Sequence, residues 1–578
     1  MKKRNFLSIL LAATLAFSCG AVAGCDNGDG GTSSGGDFTT VKDGTTALQI
    51  AYYAAGNGNA WLVAAAQAFE LAYQDYSFEE GKRGVSVVFD PRDNSDMFSS
   101  MSNANSHIYF SDAYANQHFY GKGIVANITN AVTTSLGVTY GKDLEGTPLP
   151  GFAGETKSIA EKMTDSEKAY FILNENGNDA VFGVPHIAGM NVSLNYDPTM
   201  FEEFGLYYKA DNTLGGKKST GEALGTGPDG VSGNADDGLP RTYAELFAIC
   251  EVMRQECYTT PFVWAGNWAQ YLDDLAMALA WQNLGSKNAK DALTGSGTIP
   301  DFVYAWDKDG KPLTKEASYT PETFDSVFRK SESFYRALEF IYTIVHEGYC
   351  NEDNSYTISY THEMAQGDFI LGKRLPKNKG KNYGFLVDGS WWYTEAEEYW
   401  TQLSNRTQGN ENKQTRPLLY MPLPKATEES FQRTVGENTF FHATQTSGMV
   451  IKEGLSDMQK LLAETFIRFY CTDEWLAKYP EINSQSRGLK FEMSKEQYDK
   501  LSSFGQCMYN IHNRTNGYET AVKVEITTSP FLMENATKLA NLLDSTSPVY
   551  GSLTKVVTNF HDYPTLTPEH WFSGIGTK

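Results

Sequence analysis

The hydrophobic positions first outline strands. Leu48–Tyr53 (LQIAYY) reads as a short buried strand, Val85–Phe89 (VSVVF) as a second of β-branched alternation, and Ile108-Tyr109-Phe110 as a third. After the first strand come the turn Ala55-Gly56-Asn57-Gly58-Asn59 and an Ala-rich helix from Trp61 to about Tyr73. Strands alternating with helices predict βαβ units and a mainly parallel sheet, an α/β fold. Ligands of such sheets sit in the crevice beyond the carboxyl ends of the strands. The loops at Asn57–Trp61, Asp90–Asn94 and Ser111–Tyr114 are therefore expected to share one rim, with Asn59 and Trp61 as candidate ligand-binding residues on the first.

Further along, helix starts are explicit. Asn195-Tyr196-Asp197-Pro198 ends a strand and opens a helix, with Asp197 as cap and Pro198 at the first helical position. Thr242-Tyr243-Ala244-Glu245 has the capping-box spacing before an apolar stripe that includes Leu246, Cys250 and Met253. Phe334, Leu338, Ile341 and Val345 mark one face of a helix that stops near Gly348. Two stretches read as surface insertions, 207–239 and 375–382, and no internal repeat is present.

The amino terminus carries a different pattern. Lys2, Lys3 and Arg4 precede an apolar run from Phe6 to Phe17, too short to span a membrane as a mature helix. Val22-Ala23-Gly24-Cys25 then resembles the lipobox of bacterial lipoproteins, a family in which the peptidase cuts before the cysteine and its sulfur carries lipid. The resemblance implies a signal peptide at 1–24, lipidation of Cys25 and a flexible tether at 25–46, rich in Gly, Ser, Asp and Thr. The alternatives are an ordinary secretory signal with a chance cysteine, or use of Cys19, which fits less well.

Composition narrows the class. The 578 residues are 41% hydrophobic and 20% charged, the profile of a packed globular protein long enough for two large lobes. A net charge of −22 argues against a nucleic-acid partner, which needs a basic surface. The 33 Tyr and 10 Trp exceed what a core requires and leave enough to line a cleft. Apart from Cys19 and Cys25, the cysteines at 250, 257, 350, 471 and 507 are odd in number and contain no CxxC. A disulfide framework is not expected, although one bridge remains possible. Cys250, on an apolar stripe, reads as a buried small hydrophobe.

The order of motifs resembles the extracellular solute-binding proteins of carbohydrate ABC transporters, the group that includes maltose-binding protein. The similar segments, in order, are IYFSDAYANQHFYGKGIVANIT (108–129), FGVPHIAGMNVSLNYDPTMFEEFGL (182–206), PRTYAELFAIC, MAQGDFILGKR, FLVDGSWW (385–392), LLYMPLP (418–424) and AETFIRFYCTDEW (463–475). The resemblance implies a two-lobed periplasmic-binding-protein-like fold that closes on a sugar. It places one lobe at 47–185 plus 392–470 and the other at 186–391 plus 471–578, with the 207–239 insertion in the second. It further implies delivery of the sugar to a permease, a monomer, and a membrane contact through the lipid anchor only, on the extracytoplasmic face.

Sugar recognition needs flat apolar faces for the C–H side of a pyranose and planar polar groups for its hydroxyls. The densest candidates are Trp264 or Trp268 with Tyr271, and the Trp391–Trp392 pair in Gly389-Ser390-Trp391-Trp392-Tyr393. Asp112 and Tyr114 occupy the place of the family's ligand loop, as the resemblance implies. His186, His442 and Arg487 are weaker candidates, equally readable as satisfied buried polar residues. In GPDGVSGNADDGLP (227–240), Asp229, Asn234, Asp236 and Asp237 offer oxygens on a tightly turning backbone, suited to a structural Ca²⁺ or equally to a solvated acidic loop. The EF-hand order is missing.

Near-misses exclude other chemistry. Gly367–Lys373 has phosphate-loop spacing, but Arg374 stands where Ser or Thr must reach magnesium, so the stretch reads as a helix end entering a strand. His362-Glu363-Met364-Ala365-Gln366 lacks the second histidine of a zinc protease, and no G-x-S-x-G occurs. The expected function is a sugar-capturing receptor that is not an enzyme, with a surface glycoside hydrolase as the alternative. A hydrolase of this size would more commonly be a barrel with eight βα units.

Overall fold

A computed structural model describes residues 38–93, 97, 101, 103–111, 123–175, 177–268, 270–293, 297–320, 323–372, 382–442, 447–513, 521–525 and 568. The strands that organise it follow in chain order. They are β1 (Thr46–Tyr52), β2 (Val85–Pro91), β3 (Ile108–Ser111), β4 (Val184–Pro185), β5 (Ile187–Ala188), β6 (Ser193–Tyr196), β7 (Thr260–Val263), β8 (Tyr383–Asp388), β9 (Leu419–Tyr420), β10 (Gly448–Ile451) and β11 (Ser486–Arg487). The three strands read from periodicity are all present, and the helix after the first runs Ala60–Ala72.

The first sheet has the order β2-β1-β3-β10-β4. β1, β2 and β3 are parallel, with Tyr52 opposite both Pro91 and Phe110. Their carboxyl ends therefore lie on one edge, as the alternation required. Arg92 donates its backbone N–H to Tyr52 O there (3.0 Å), and Tyr53 donates to Phe110 O (3.3 Å). β10 runs antiparallel beside β3.

The second sheet has the order β7-β8-β6-β9, with β7 and β8 parallel. Both of its faces are covered, and β8 shows how. Phe385 and Val387 enter one core with Phe262, Phe340 and Leu338, while Tyr383 and Leu386 enter another with Phe369, Trp400 and Phe504. A strand buried on both faces reads as continuous hydrophobicity, as FLV does.

Between the sheets the chain crosses at 186–190, where β5 pairs antiparallel with β11. His186 and Arg487 sit at this crossing, both buried. Arg487 donates to His186 O (2.8 Å) and Tyr470 O (3.2 Å) and lies 3.9 Å from the Tyr470 ring centre.

Packing redraws the expected lobe boundaries. Trp392, Tyr393, Trp400 and Leu403, expected in the first lobe, are core residues of the second. Cys471, Trp475, Leu476, Tyr479 and Leu489, expected in the second, pack in the first with Trp61 and Phe69. The helix Ser503–Asn513 lies between them: Phe504, Cys507, Met508 and Ile511 face the second core, Tyr509 the first. Sequence order alone does not say which face of a long helix meets which lobe.

Local signals were realised with one variation. Asp197 accepts from Thr199 N (2.9 Å) and Met200 N (3.4 Å), with Pro198 at the first helical position. Thr242 caps Glu245 N (3.4 Å), but the Glu245 carboxylate reaches Arg241 N (2.6 Å) rather than completing a box on Thr242. Glu332–His346 buries the predicted stripe, and the helix His362–Leu371 ends where the near-miss phosphate loop was read as a helix end. The 207–239 stretch is only partly superficial, since Tyr207, Tyr208 and Leu239 are core. None of the five described cysteines forms a disulfide, and all five are buried.

Candidate functional site: the cleft between the lobes

The carboxyl ends of β7 and β8 carry two loops, Trp264–Trp268 and Gly389–Trp391. The second faces the first lobe's rim at 55–59 through Gln485. Gln485 Nε2 donates to Asn57 Oδ1 (2.5 Å), and Asn483 Nδ2 to Asn57 O (3.0 Å). From the second lobe, Ser390 Oγ donates to Gln485 Oε1 (3.2 Å) and accepts from Met190 N (3.0 Å). Thr394 Oγ1 donates to Asn483 O (2.6 Å). Glu395 abuts Gly56 so closely that a Cβ there would stand 3.1 Å from its carboxylate. This polar seam forms the back of the cleft.

In front of the seam, Trp391 is half-buried and its ring lies flat over Gly389, where a Cβ would stand 2.2 Å from the indole. Glycine is required by that approach. Tyr271 meets Trp391 edge-on, ring centres 6.3 Å apart. Trp268, one turn before Tyr271, is 42% exposed. Polar groups flank these rings. Gln366 Nε2 donates to Glu395 Oε2 (2.7 Å) and Asp388 Oδ2 (3.1 Å), and His362 Nε2 lies 3.4 Å from Glu395 Oε1. Burial, and then Glu395, hold the Asp388 carboxyl well above the usual carboxylate range. Its hydrogen bond with Glu395 raises His362. Burial, Asp388 and Glu395 raise the Tyr271 phenol. Gln366 is itself fully buried, so the accessible polar groups beside the aromatic faces are the Glu395 carboxylate and the His362 imidazole, of the kinds that grip a pyranose.

Several expected ligand residues lie elsewhere. Trp264 is 1% exposed and donates its indole N–H to Ser355 O (2.9 Å). Trp392 is fully buried, donating to Asn195 Oδ1 (3.0 Å) among Phe369, Trp400 and Phe504. Trp61 is buried against Phe110, His186 and Tyr470. These three are corrected to core residues, because each ring is closed in by aromatic or main-chain neighbours and offers no face. Asn59 stays on the rim, donating to Tyr52 Oη (3.0 Å). Asp112, Tyr114 and Cys25 lie outside the described residues, as does the His442 side chain. Sequence reasoning missed Gln366, Glu395 and His362. His362 was met only as part of a failed metal motif, and nothing in the chain places that helix start beside β8.

The Asp388–Glu395 pair is not arranged as a glycosidase pair. Asp388 is 1% exposed and spends one oxygen on Gly389 N (2.8 Å) and the other on Gln366. A shallow cavity of about 610 Å³ lies at the opposite edge of the first lobe, beside Asn127, Lys460 and Glu464. Its Tyr140 ring is covered by Arg468, 4.4 Å away, so no aromatic face is on offer there.

In the 227–240 loop, Asp229 and Asp236 are buried. Asp236 accepts from Asn438 Nδ2 (2.7 Å), and Asn234 Nδ2 donates to Asp229 Oδ2 (2.7 Å). The Oδ1 atoms of Asp236 and Asp237 are buried without a hydrogen-bond partner. No group of three or more His, Cys, Asp or Glu spaced to hold a metal occurs among the described residues. Burial and Asp229 push the Asp236 carboxyl up to about 7. A folded value above the unfolded one means that stability falls as pH rises from about 4 to about 7. Asp236→Asn is expected to remove that share of the decline, read as denaturation midpoints of both proteins across this range.

The fold defined by these sheets and crossings is that of two-lobed binding proteins. The chain is similar to BlMnBP1, a binding protein of an ABC transporter from Bifidobacterium animalis subsp. lactis, in complex with mannobiose. That likeness has 12% identity, covers 92% of this chain and 93% of that one, and has a TM-score of 0.51. A probable secreted solute-binding lipoprotein from Streptomyces coelicolor matches at 11% identity, 92% and 98% coverage and a TM-score of 0.50. At these identities the likeness concerns the fold. No family model and no curated protein sequence matches the chain.

Proposed function

We propose that this chain is a lipid-anchored receptor that captures an oligosaccharide outside the cell and delivers it to an ABC permease, without cleaving it. The observation that carries the reading is the Trp391–Tyr271 aromatic corner beside Glu395 and His362, at the seam where Glu395 of the second lobe meets Gly56 of the first. The fold supports it, since the neighbour from Bifidobacterium holds mannobiose. Among the described residues, no helix is long and apolar enough to cross a membrane, and the lipobox-like VAGC supplies the attachment in this reading. The test is calorimetric titration with starch-, xylan- and mannan-derived oligosaccharides, alongside a reducing-end assay. Binding without new reducing ends supports the receptor; release of reducing ends overturns it in favour of the hydrolase.

Two parts of the reading have separate tests. Cys25→Ser is expected to release the protein from the membrane fraction or leave an uncleaved precursor, and unchanged lipid labelling would sink the anchor. In the same reading the 227–240 loop holds a structural Ca²⁺ through Asp229, Asn234, Asp236 and Asp237. The orphaned oxygens of Asp236 and Asp237 are the donors a hard cation takes. Chelator is then expected to lower the melting temperature and excess calcium to restore it; a melt indifferent to both would return the loop to a hydrogen-bonded turn.

A further inference from the structure

One short stretch, Ser390–Glu395, carries both the stacking ring of the cleft and polar contacts from the second lobe to the seam. Its residues divide three ways. Trp391 turns to the cleft, half-buried over Gly389. Trp392 and Tyr393 turn into the second core and fix the stretch there. Ser390, Thr394 and Glu395 turn to the seam. Ser390 Oγ donates to Gln485 Oε1 (3.2 Å), Thr394 Oγ1 donates to Asn483 O (2.6 Å), and Glu395 abuts Gly56. The backbone of the ring is tied to these groups, since Trp391 O accepts from both Thr394 N (3.1 Å) and Glu395 N (3.2 Å).

Across the seam, the same two residues take hold of the first lobe. Gln485 Nε2 donates to Asn57 Oδ1 (2.5 Å) and Asn483 Nδ2 to Asn57 O (3.0 Å). Asn57 lies two residues before Asn59, which stands on the rim. Asn483 and Gln485 are both buried, so water does not compete for these bonds. Ser484, between them, holds a left-handed backbone (φ 56°), and its hydroxyl pairs with that of Ser502 (2.9 Å). That conformation costs a residue with a β-carbon, persists where the surroundings fix it, and clusters at switch segments.

We propose that Ser390–Glu395 and Asn483–Gln485 form a transmission that couples a sugar on Trp391 to the angle between the lobes, with Thr394 and Gln485 as positioning residues that touch no sugar. This rests on the receptor reading above and says how occupancy of the cleft reaches the crossing. A sugar ring stacked on Trp391 settles the 390–395 turn. Through Ser390 and Thr394 that turn holds Gln485 and Asn483, and these hold the 55–59 loop with its rim toward the sugar. Contacts from the rim then favour the closed form, which is the differential affinity that closure requires. A buried hydroxyl bond of this kind is worth about fivefold in an equilibrium.

The test compares Thr394→Val and Gln485→Met with the wild type, using whichever mannan-, xylan- or starch-derived oligosaccharide binds the wild type. Calorimetry gives affinity, small-angle scattering at saturation gives the radius of gyration, and melting curves report the fold. Both variants are expected to bind about fivefold more weakly or worse, and to contract less on saturation than the wild type. Thr394→Ser, which restores the hydroxyl, should return both affinity and contraction. Should Gln485→Met fail to fold, Thr394→Val decides, because Thr394 is only half-buried. A Thr394→Val protein that contracts as the wild type does overturns the transmission, whatever its affinity, and leaves the receptor reading standing. So does a loss that Thr394→Ser fails to restore. If the wild type binds none of the three sugars, the receptor reading falls, and the transmission with it.

Discussion

Replacing Trp391 by Ala is expected to weaken the oligosaccharide complex about thirtyfold and leave the fold intact. The ring is half-buried over Gly389, so it presents one face to the cleft while the other rests on backbone. Stacking a sugar on that face buries apolar area on the scale of a binding hot spot, about 2 kcal/mol, and that energy is about thirtyfold in affinity. Tyr271 remains and holds part of the corner. Calorimetry on the variant and the wild type, with melting curves of both, reads the effect. Unchanged affinity with an unchanged melt would remove Trp391 from the site.

Trp392, its neighbour, should behave oppositely. It is fully buried, with ring centres of Tyr393, Phe504, Phe369 and Trp400 at 5.3 to 6.1 Å. Its indole N–H is bonded to Asn195, whose amide ties Leu386 O and Asp388 O. Trp392→Ala leaves a cavity and an unpaired buried acceptor, and about 3–5 kcal/mol of stability should be lost. Denaturant titration measures this. A variant as stable as the wild type but defective in binding would return Trp392 to the cleft.

The contrast between these adjacent residues shows where the sequence stops being legible. Periodicity found β1, β2 and β3, the Asp197–Pro198 helix start and the stripe on Glu332–His346, because each depends on neighbours within a few residues. It also placed the carboxyl ends of these strands on one edge. It did not separate Trp391 from Trp392, since which ring of a tandem pair turns inward depends on Phe369 and Phe504, distant in the chain. Trp264 misled for the same reason: a Trp in a Gly-containing loop looked exposed, yet Ser355 and Tyr356 close over it. Glu395, Gln366 and His362 carry no local signature, because only the packing of their helices on β8 brings them together. The lobe boundaries failed similarly at 392–403 and 471–489.

Two lobes can be drawn together by a ligand only if it binds the closed form better, which requires contacts from both sides of the cleft. Small-angle scattering of the protein, with and without a saturating neutral oligosaccharide identified by titration, tests this most directly. A smaller radius of gyration is expected for the wild type with the sugar bound. A radius unchanged at saturation would contradict closure on the sugar between the lobes.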